Sequence, residues 1–508
     1  MDKPDSMVMV IFGASGDLTR RKLMPSLYIL HKYKRLPKNF AILGVSRTEY
    51  TDEAYRDRIR LQLHRFLKPE ELDEDQINSF IRLLHYFPMD PANPDAYLLL
   101  QPKLLELDKM IGNQEYYLYY LATPPSLYGL IPQHLKTVGL NLDKGINGKK
   151  RIIVEKPFGY DLASAKELSN VYYKDAFRED QIFRIDHFLG KETVQNILAF
   201  RFSNSIFEPI WNRNYIDYVE VTAVENMGVE ERGSYFDGIG TLRDMVQNHL
   251  IQLLAITAME PPMAFNADSF RDEVLRVYQA LAPLTEVDMK EHIVRGQYTA
   301  SESKKGYREE KDIDPLSRTE TYLAMRLNIN NWRWSGVPFY IRTGKYMPTK
   351  VSEVVVHFKP TPYQLFNCLD GVCPVGNQLI IRIQPNEGIV LKFGMKVPGS
   401  GFDIDQVAMD FSYNSLGELS PGDAYARLIE DCIMGDPTLF TRNDAIESSW
   451  TFFTPVLDFW KNHPEMPVYG YPAGTWGPRE SEAMMHEHGA EWTNPCKNLT
   501  NTNLYCEL

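Results

Sequence analysis

The segment Arg184-Ile185-Asp186-His187-Phe188-Leu189-Gly190-Lys191 places a guanidinium, a carboxylate, an imidazole and an ammonium group within eight residues. Short apolar residues precede it, so we expect it to follow a strand, where open α/β sheets bind their ligands. His187 and Lys191 are four residues apart. On a helical turn they would share one face and form a cationic pocket suited to a phosphate. The alternative interpretation is a surface cluster of ion pairs.

The composition bounds the class of protein. With 508 residues, the chain is long enough for two or three domains. Its formal net charge of −12 disfavours nucleic acid and anionic membranes as partners, although a local basic pocket remains compatible with it. The five cysteines are scattered and form no CxxC pair, so neither a metal site nor a disulfide framework is expected. We find no signal-peptide pattern and no membrane-spanning run, and therefore expect a cytoplasmic protein.

The start of the chain has the pattern of a dinucleotide-binding domain. A buried-strand pattern at residues 8–12 runs into a glycine turn, and a helical pattern follows. The turn consists of Gly13, Ala14, Ser15, Gly16, Asp17 and Leu18. Its glycine spacing departs from the usual GxGxxG, so a tight turn that binds no ligand is the alternative.

The end of the second predicted strand favours NADP over NAD. The apolar run at residues 41–45 leads to Arg47, where NAD-preferring folds carry an acid that holds the ribose 2′-hydroxyl. An arginine there can pair with a 2′-phosphate, which leaves NAD as the weaker alternative cofactor. An ordinary surface arginine is the other interpretation.

Further strand patterns occur at residues 116–122 and 151–154, with helical patterns between them. The alternation predicts a parallel, doubly wound sheet. Lys156 follows the second of these strands and is expected to point into the ligand cleft. A lysine that merely precedes Pro157 in a turn is the alternative.

The pattern changes after residue 191. A strand pattern ends at Glu225, a glycine-punctuated loop is predicted through Gly240, and a helix is predicted over residues 242–253. His249 lies beside the apolar stripe of that helix, as a core histidine would, but the polar residues around it are costly to bury unless they have a function. Beyond residue 318, strand patterns without intervening crossover helices predict an antiparallel sheet.

Six segments together resemble the glucose-6-phosphate dehydrogenase family. They are GASGDLTRRKL (13–23), EKPFG (155–159), RIDHFLGK (184–191), DMVQNH (244–249), GVPFYIRTGK (336–345) and QPNE (384–387). The resemblance implies a Rossmann-like NAD(P)-binding domain over residues 1–185. It implies an α+β domain with a large, mostly antiparallel sheet over residues 186–508, through which dimers or tetramers form. The implied reaction is the NADP-dependent oxidation of glucose 6-phosphate at C1, the entry to the pentose phosphate route.

The resemblance also implies roles for individual residues. His249 would be the base that takes the C1-hydroxyl proton, and Asp186 would orient it. The 6-phosphate would be held by His187, Lys191 and Lys350, and the sugar hydroxyls by Glu225, Asp244, Lys345 and Gln384. Lys156 would lie between sugar and nicotinamide. The cofactor would contact residues 13–18, Arg47 and Tyr120, and no metal would take part.

Two departures from the family pattern carry expectations of their own. Phe188 stands where the family usually has tyrosine, which removes a hydroxyl contact to the phosphate worth about 0.5–1.5 kcal/mol. Arg342 and Arg382 fit the basic pattern of a second, structural NADP site, but Val351 and Val390 replace a basic and an aromatic residue, so no tight structural nucleotide is expected. Two rival interpretations are a neighbouring NAD(P)-dependent sugar oxidoreductase and a non-catalytic nucleotide sensor.

Overall fold

The apolar runs of the first 190 residues form a six-stranded sheet in which every neighbouring pair is parallel. Its strands are β1 (Ser6–Phe12), β2 (Asn39–Ser46), β3 (Leu84–Pro88), β4 (Tyr117–Leu121), β5 (Lys150–Val154) and β6 (Ile182–Arg184). The strand order is β3-β2-β1-β4-β5-β6, so the order reverses between β1 and β4. Ligands of such sheets bind at the carboxyl ends of the strands beside this reversal.

Helices connect these strands. They are a π-helix (Thr19–Leu23), α1 (Met24–Lys32), α2 (Asp52–Phe66), α3 (Glu74–Ile81), α4 (Tyr97–Ile111), α5 (Leu130–Thr137), α6 (Leu162–Glu167), a second π-helix (Leu168–Tyr173) and α7 (Lys174–Ala176). The Thr51 hydroxyl caps α2 by accepting the Ala54 N–H. Residues 51–107 are charged and Leu-rich at helical spacing, and this pattern gave no sign of the strand β3. This strand lies at the edge of the sheet and has only five residues, which is too few for a clear period.

A second, ten-stranded sheet contains β7 (Ile216–Val224), β8 (Ile293–Thr299), β9 (Tyr322–Asn328), β10 (Pro338–Gly344), β11 (Val351–Phe358), β12 (Asn367–Cys368), β13 (Gln378–Gln384), β14 (Gly388–Lys396), β15 (Asp403–Ser412) and β16 (Tyr469–Pro472). Its order is β12-β15-β14-β13-β11-β7-β10-β9-β8-β16. Most pairs are antiparallel, and the parallel ones are β7 with β10, β12 with β15, and β8 with β16. The predicted fold class, a Rossmann-like parallel sheet and a large, mostly antiparallel sheet, is confirmed.

Besides short 3-10 helices, the other α- and π-helices among the described residues are α8 (Glu192–Phe202), α9 (Gly233–Thr241), a third π-helix (Leu242–Leu250), α10 (Ile251–Ala258), α11 (Ala267–Gln279), α12 (Glu286–Glu291), α13 (Ala424–Met434), α14 (Asn443–Asn462) and α15 (Arg479–His486). The glycine-punctuated loop predicted before residue 242 is therefore wrong at residues 233–241. Phe236 and Ile239 are buried there, and their packing offsets the low helix propensity of the glycines.

The computed structural model describes residues 4–143, 149–302, 304–363, 365–368, 376–399, 401–416 and 424–495. The chain forms two units. The first comprises Met1–Lys191, Pro262–Asp272 and Ser420–Glu447, and the second comprises Glu192–Pro261, Glu273–Leu419 and Ser448–Leu508. The domain boundary expected between residues 185 and 186 stays a prediction. No helix among the described residues combines the length and apolar character needed to cross a bilayer.

Candidate active site

The glycine turn after β1 has a backbone that requires glycine at its first position. Gly13 has a φ of +88°, and a Cβ atom there would lie 2.1 Å from the carbonyl oxygen of Ala122. The Gly13 carbonyl accepts the Gly16 N–H at 2.9 Å and the Thr19 hydroxyl at 3.0 Å. Ala14, Ser15, Asp17 and Leu18 complete the turn. The turn leads directly into the first π-helix, and a helix start of this kind presents N–H groups to a phosphate.

The end of β2 is tied to this turn. The hydroxyl groups of Ser46 and Thr48 both donate to the Ser15 Oγ, at 3.0 and 3.2 Å. Arg47 lies between them and is exposed. Arg47 is therefore held next to the glycine turn, at the carboxyl end of β2. In sheets of this type a bound ribose is expected at that end of the strand.

Tyr120 and Glu155 form a hydrogen-bonded pair near the carboxyl ends of β4 and β5. The Tyr120 hydroxyl donates to Glu155 Oε1 at 2.5 Å, and Tyr120 is fully buried. Burial raises the pKa of Glu155 to about 7, although the Tyr120 hydroxyl and the charge of Lys156 act in the opposite direction. Glu155 belongs to the segment EKPFG (155–159), but no role was predicted for it from the sequence. The predicted cofactor contacts of Tyr120 and the half-buried Lys156 stay predictions.

The segment after β6 forms successive tight turns. The Leu189 N–H donates to the Asp186 carbonyl, and the Lys191 N–H donates to the Phe188 carbonyl, each at 3.1 Å. The buried Asp186 also accepts the Phe188 N–H through Oδ1 at 2.9 Å. The helical turn considered for His187 and Lys191 is therefore wrong, because the side chain of Asp186 and the turn hydrogen bonds fix a different backbone.

Phe188 contacts both basic side chains of this segment. Its ring is buried, the Lys191 ammonium lies 4.1 Å from the ring centroid, and the His187 ring centroid lies 5.1 Å away. An ammonium over an aromatic face is attracted by the ring quadrupole. Phe188 therefore packs against both of the basic residues predicted to bind a phosphate, and the cationic pocket itself stays a prediction.

In the second unit, four of the residues predicted to bind the substrate lie at one end of the ten-stranded sheet. Glu225 follows β7 and Lys345 follows its parallel neighbour β10, and Lys345 Nζ donates to Glu225 Oε2 at 2.5 Å. Lys350 precedes β11, which is antiparallel to β7. Gln384 ends β13, where its amide donates to the Ser352 hydroxyl at 3.1 Å. Strand pairing therefore gathers residues that are up to 159 positions apart in the sequence.

Asp244 and His249 lie on the third π-helix, which packs against β7 and β10. His249 is buried and Asp244 is half-buried. In an α-helix, residues five apart are rotated by about 140° from each other. In a π-helix, whose hydrogen bonds join residues five apart, two residues five positions apart are about one turn apart and lie near the same face. The π winding, which the sequence did not reveal, therefore aligns the two predicted site residues.

The two arginines that fit the pattern of a second nucleotide site bind groups of the protein itself. Arg342 is fully buried and donates to the Asn494 side chain at 2.8 Å and to the Thr493 carbonyl at 3.0 Å. Arg382 forms a two-point ion pair with Asp410. The expected absence of a tight structural NADP stays a prediction.

Two family models match the chain. Residues 10–196 match the model described as glucose-6-phosphate dehydrogenase, NAD binding domain, and residues 198–493 match the model of the C-terminal domain of the same enzyme. The chain belongs to the glucose-6-phosphate dehydrogenase family. The resemblance seen in the sequence motifs is thereby confirmed.

Individual relatives are similar in sequence to this chain over nearly its full length. The glucose-6-phosphate 1-dehydrogenase of Aggregatibacter actinomycetemcomitans is 49% identical, and the alignment covers 97% of this chain and 98% of the relative. That of Treponema pallidum is 45% identical, with 99% and 98% covered. A solved structure of a glucose-6-phosphate dehydrogenase in complex with its substrate glucose 6-phosphate is 35% identical, has a TM-score of 0.89, and covers 97% of this chain and 100% of that one.

Proposed function

We propose that the protein oxidises D-glucose 6-phosphate at C1 to 6-phospho-D-glucono-1,5-lactone with hydride transfer to NADP, the first step of the oxidative pentose phosphate pathway. The observation that carries the proposal is the convergence of Glu225, Lys345, Lys350 and Gln384 at one end of the sheet, in a chain of this family. Carboxylate, ammonium and amide groups placed together are suited to a polyhydroxylated, anionic ligand.

In the proposed mechanism, His249 removes the proton of the C1 hydroxyl, since a histidine has an ordinary pKa close to neutrality. Asp186 orients this base and stabilises its imidazolium form. A bound nicotinamide would supply the acceptor for the hydride that leaves C1. Lys156 would contact both the sugar and the nicotinamide and hold the two reactants in register, which would lower the entropic part of the barrier.

The substrate is proposed to bind by its two chemically different ends. His187 and Lys191, with Lys350, pair with the 6-phosphate. Glu225, Asp244, Lys345 and Gln384 hydrogen-bond the sugar hydroxyls. The Lys345–Glu225 pair contributes one donor group and one acceptor group whose spacing is already set, and such preorganisation reduces the entropy lost on binding.

The proposed function is tested by the initial rate of nicotinamide reduction with glucose 6-phosphate or free glucose, each paired with NADP or NAD. We expect strong turnover with the phosphorylated sugar alone. Equal turnover of free glucose would favour a neighbouring sugar oxidoreductase. Cofactor binding without turnover of either sugar would favour a nucleotide sensor.

The proposed cofactor site consists of residues 13–18, Tyr120, Lys156 and Arg47, with Arg47 selecting NADP. Replacing Arg47 with alanine should lower kcat/KM for NADP about 10- to 150-fold, because a charge-assisted hydrogen bond contributes about 1.5–3 kcal/mol. The value for NAD should stay nearly constant. Lys38→Ala, at an exposed lysine just before β2, is the matched control. An unchanged NADP-to-NAD ratio in Arg47→Ala would refute the selecting role.

We further propose that the protein is a homodimer or homotetramer assembled through the ten-stranded sheet. Val407, Met409 and Phe411 are every second residue of β15 and therefore lie on one face of the strand. They are 40%, 64% and 40% exposed. Their partners on β14 are Phe393, Leu391 and Ile389, so the apolar face extends over two strands. An exposed apolar face of this kind marks an interaction surface. The proposed location, the cytoplasm, rests on the sequence alone.

Replacing Met409 with glutamate should weaken this self-association, because the new charge would be buried at the interface without a partner. We expect the dissociation constant to rise at least tenfold, which corresponds to about 1.4 kcal/mol. Sedimentation velocity over a range of concentrations measures the change. Ala408→Glu places the same charge on the opposite face of β15 and serves as the control. Equal behaviour of the two variants would exclude this face as the interface.

A further inference from the structure

Glu320 holds the start of the third π-helix with two different oxygen atoms. Its carboxylate Oε1 accepts the Leu242 N–H at 2.9 Å. Its main-chain carbonyl accepts the Thr241 N–H at 3.1 Å and the Thr241 hydroxyl at 2.8 Å. Glu320 is buried, and it lies 78 positions after Leu242 in the sequence. The first turn of the helix is therefore fixed by a residue that is remote in the chain.

The contact is also tight on the side of Gly240, a non-helical kink near the end of α9. Gly240 has φ +73° and ψ 168°, and a Cβ atom there would lie 2.6 Å from Glu320 Oε1. Burial raises the pKa of Glu320, although the Leu242 N–H and the charges of Arg243 and Arg295 act in the opposite direction. A buried carboxyl group is costly unless its bonds serve the structure, and here it caps a helix start, where negative charge is favourable.

The cap matters because π winding is uncommon. π-helices make up well under 1% of residues in soluble proteins, and an α-helix is the ordinary alternative for the same segment. If residues 242–250 formed an α-helix instead, His249 and Asp244 would be separated by about 140° around the helix axis and would no longer share a face. The Asn248 side chain, which donates to the Arg243 carbonyl at 2.8 Å, helps to keep the wide turn open further along.

We propose that Glu320 is a positioning residue for His249. By capping the π-helix at Leu242, it fixes the winding that places the imidazole and the Asp244 carboxylate on one face. This inference rests on the proposed function, in which His249 is the base. Glu320 itself touches neither the sugar nor the nicotinamide in this scheme.

The test compares Glu320→Leu, which has no acceptor, with Glu320→Gln, whose amide oxygen can still accept the Leu242 N–H. For Glu320→Leu we expect kcat to fall about 10- to 100-fold, because a small misplacement of a catalytic group is sufficient for that loss. KM for glucose 6-phosphate should change by less than about threefold, since His187 and Lys191 are not on this helix. Glu320→Gln should keep kcat within about threefold of the wild-type value. Glu353→Leu removes another buried carboxylate, on β11, as a control for stability.

Amide hydrogen exchange over Leu242–Leu250 provides a readout that does not depend on turnover. Exchange there should be faster in Glu320→Leu than in Glu320→Gln or Glu353→Leu. A wild-type kcat in Glu320→Leu, or equal losses of kcat in the Leu and Gln variants, would overturn the inference. If Glu320→Leu does not fold, Glu320→Asp replaces it, because aspartate is one methylene shorter than glutamate. Glu320→Asp should then show the loss of kcat. A wild-type kcat in Glu320→Asp would overturn the inference. Absence of glucose 6-phosphate oxidation in the wild type would refute the proposed function, whereas the exchange data would still decide whether Glu320 holds the helix.

Discussion

Replacing His249 with asparagine is expected to lower kcat for glucose 6-phosphate oxidation by about 10²- to 10⁴-fold, the usual contribution of a general base. Asparagine retains hydrogen-bonding groups in a buried position but cannot take up the C1-hydroxyl proton near neutral pH. The affinity for the sugar phosphate should stay largely intact, because the groups proposed to bind the phosphate are elsewhere in the chain. Initial rates and calorimetric titration with glucose 6-phosphate separate the two effects.

The control for this experiment is His463→Asn, at a histidine that pairs with Glu465 on the surface. Its kcat should be unchanged. If His249→Asn retains a kcat within a few-fold of the wild-type value, His249 is not the base. If it instead loses substrate affinity together with turnover, its role is binding, and the proposed division of labour between base and phosphate pocket is wrong.

Replacing Lys191 with methionine is expected to raise KM for glucose 6-phosphate about 10- to 150-fold, because a hydrogen bond to a charged group contributes about 1.5–3 kcal/mol. Methionine keeps an unbranched apolar stem, so it can still pack on the buried Phe188 ring that lies beneath the ammonium. The loss is therefore confined mainly to the charge. Saturation kinetics with glucose 6-phosphate, at a fixed high concentration of NADP, give the measurement.

Any slow oxidation of free glucose should be nearly unaffected by Lys191→Met, since free glucose has no phosphate to bind. Lys174→Met, at an exposed lysine of α7 in the same unit, controls for the change in net charge. If KM for glucose 6-phosphate rises no more in Lys191→Met than in Lys174→Met, the phosphate is bound elsewhere. A parallel rise for both sugars would indicate that Lys191 contacts the ring rather than the phosphate.

Two properties follow from the sequence alone, the fold class and the family. Apolar runs indicated the buried parallel strands other than β3, and the motifs around residues 13–23 and 184–191 identified the family. These features are local, because a strand's apolar pattern and a motif's residue spacing are set within about ten positions. The position of Arg47 directly after β2 could be predicted in the same way, because the apolar pattern of that strand shows where the strand ends.

How these residues come together depends on long-range contacts of the folded chain. The Glu225–Lys345 pair depends on β7 and β10 being neighbours, although 120 positions separate the two residues. The tight turns around Asp186 and the π winding around His249 depend on hydrogen bonds that override the local helical preference. The cap of the π-helix comes from Glu320, beyond the range of any periodic pattern. Whether such long-range pairs and buried polar contacts form depends on the free energy of the whole fold relative to its alternatives. The hydrophobic period of a short segment contains no information about that difference.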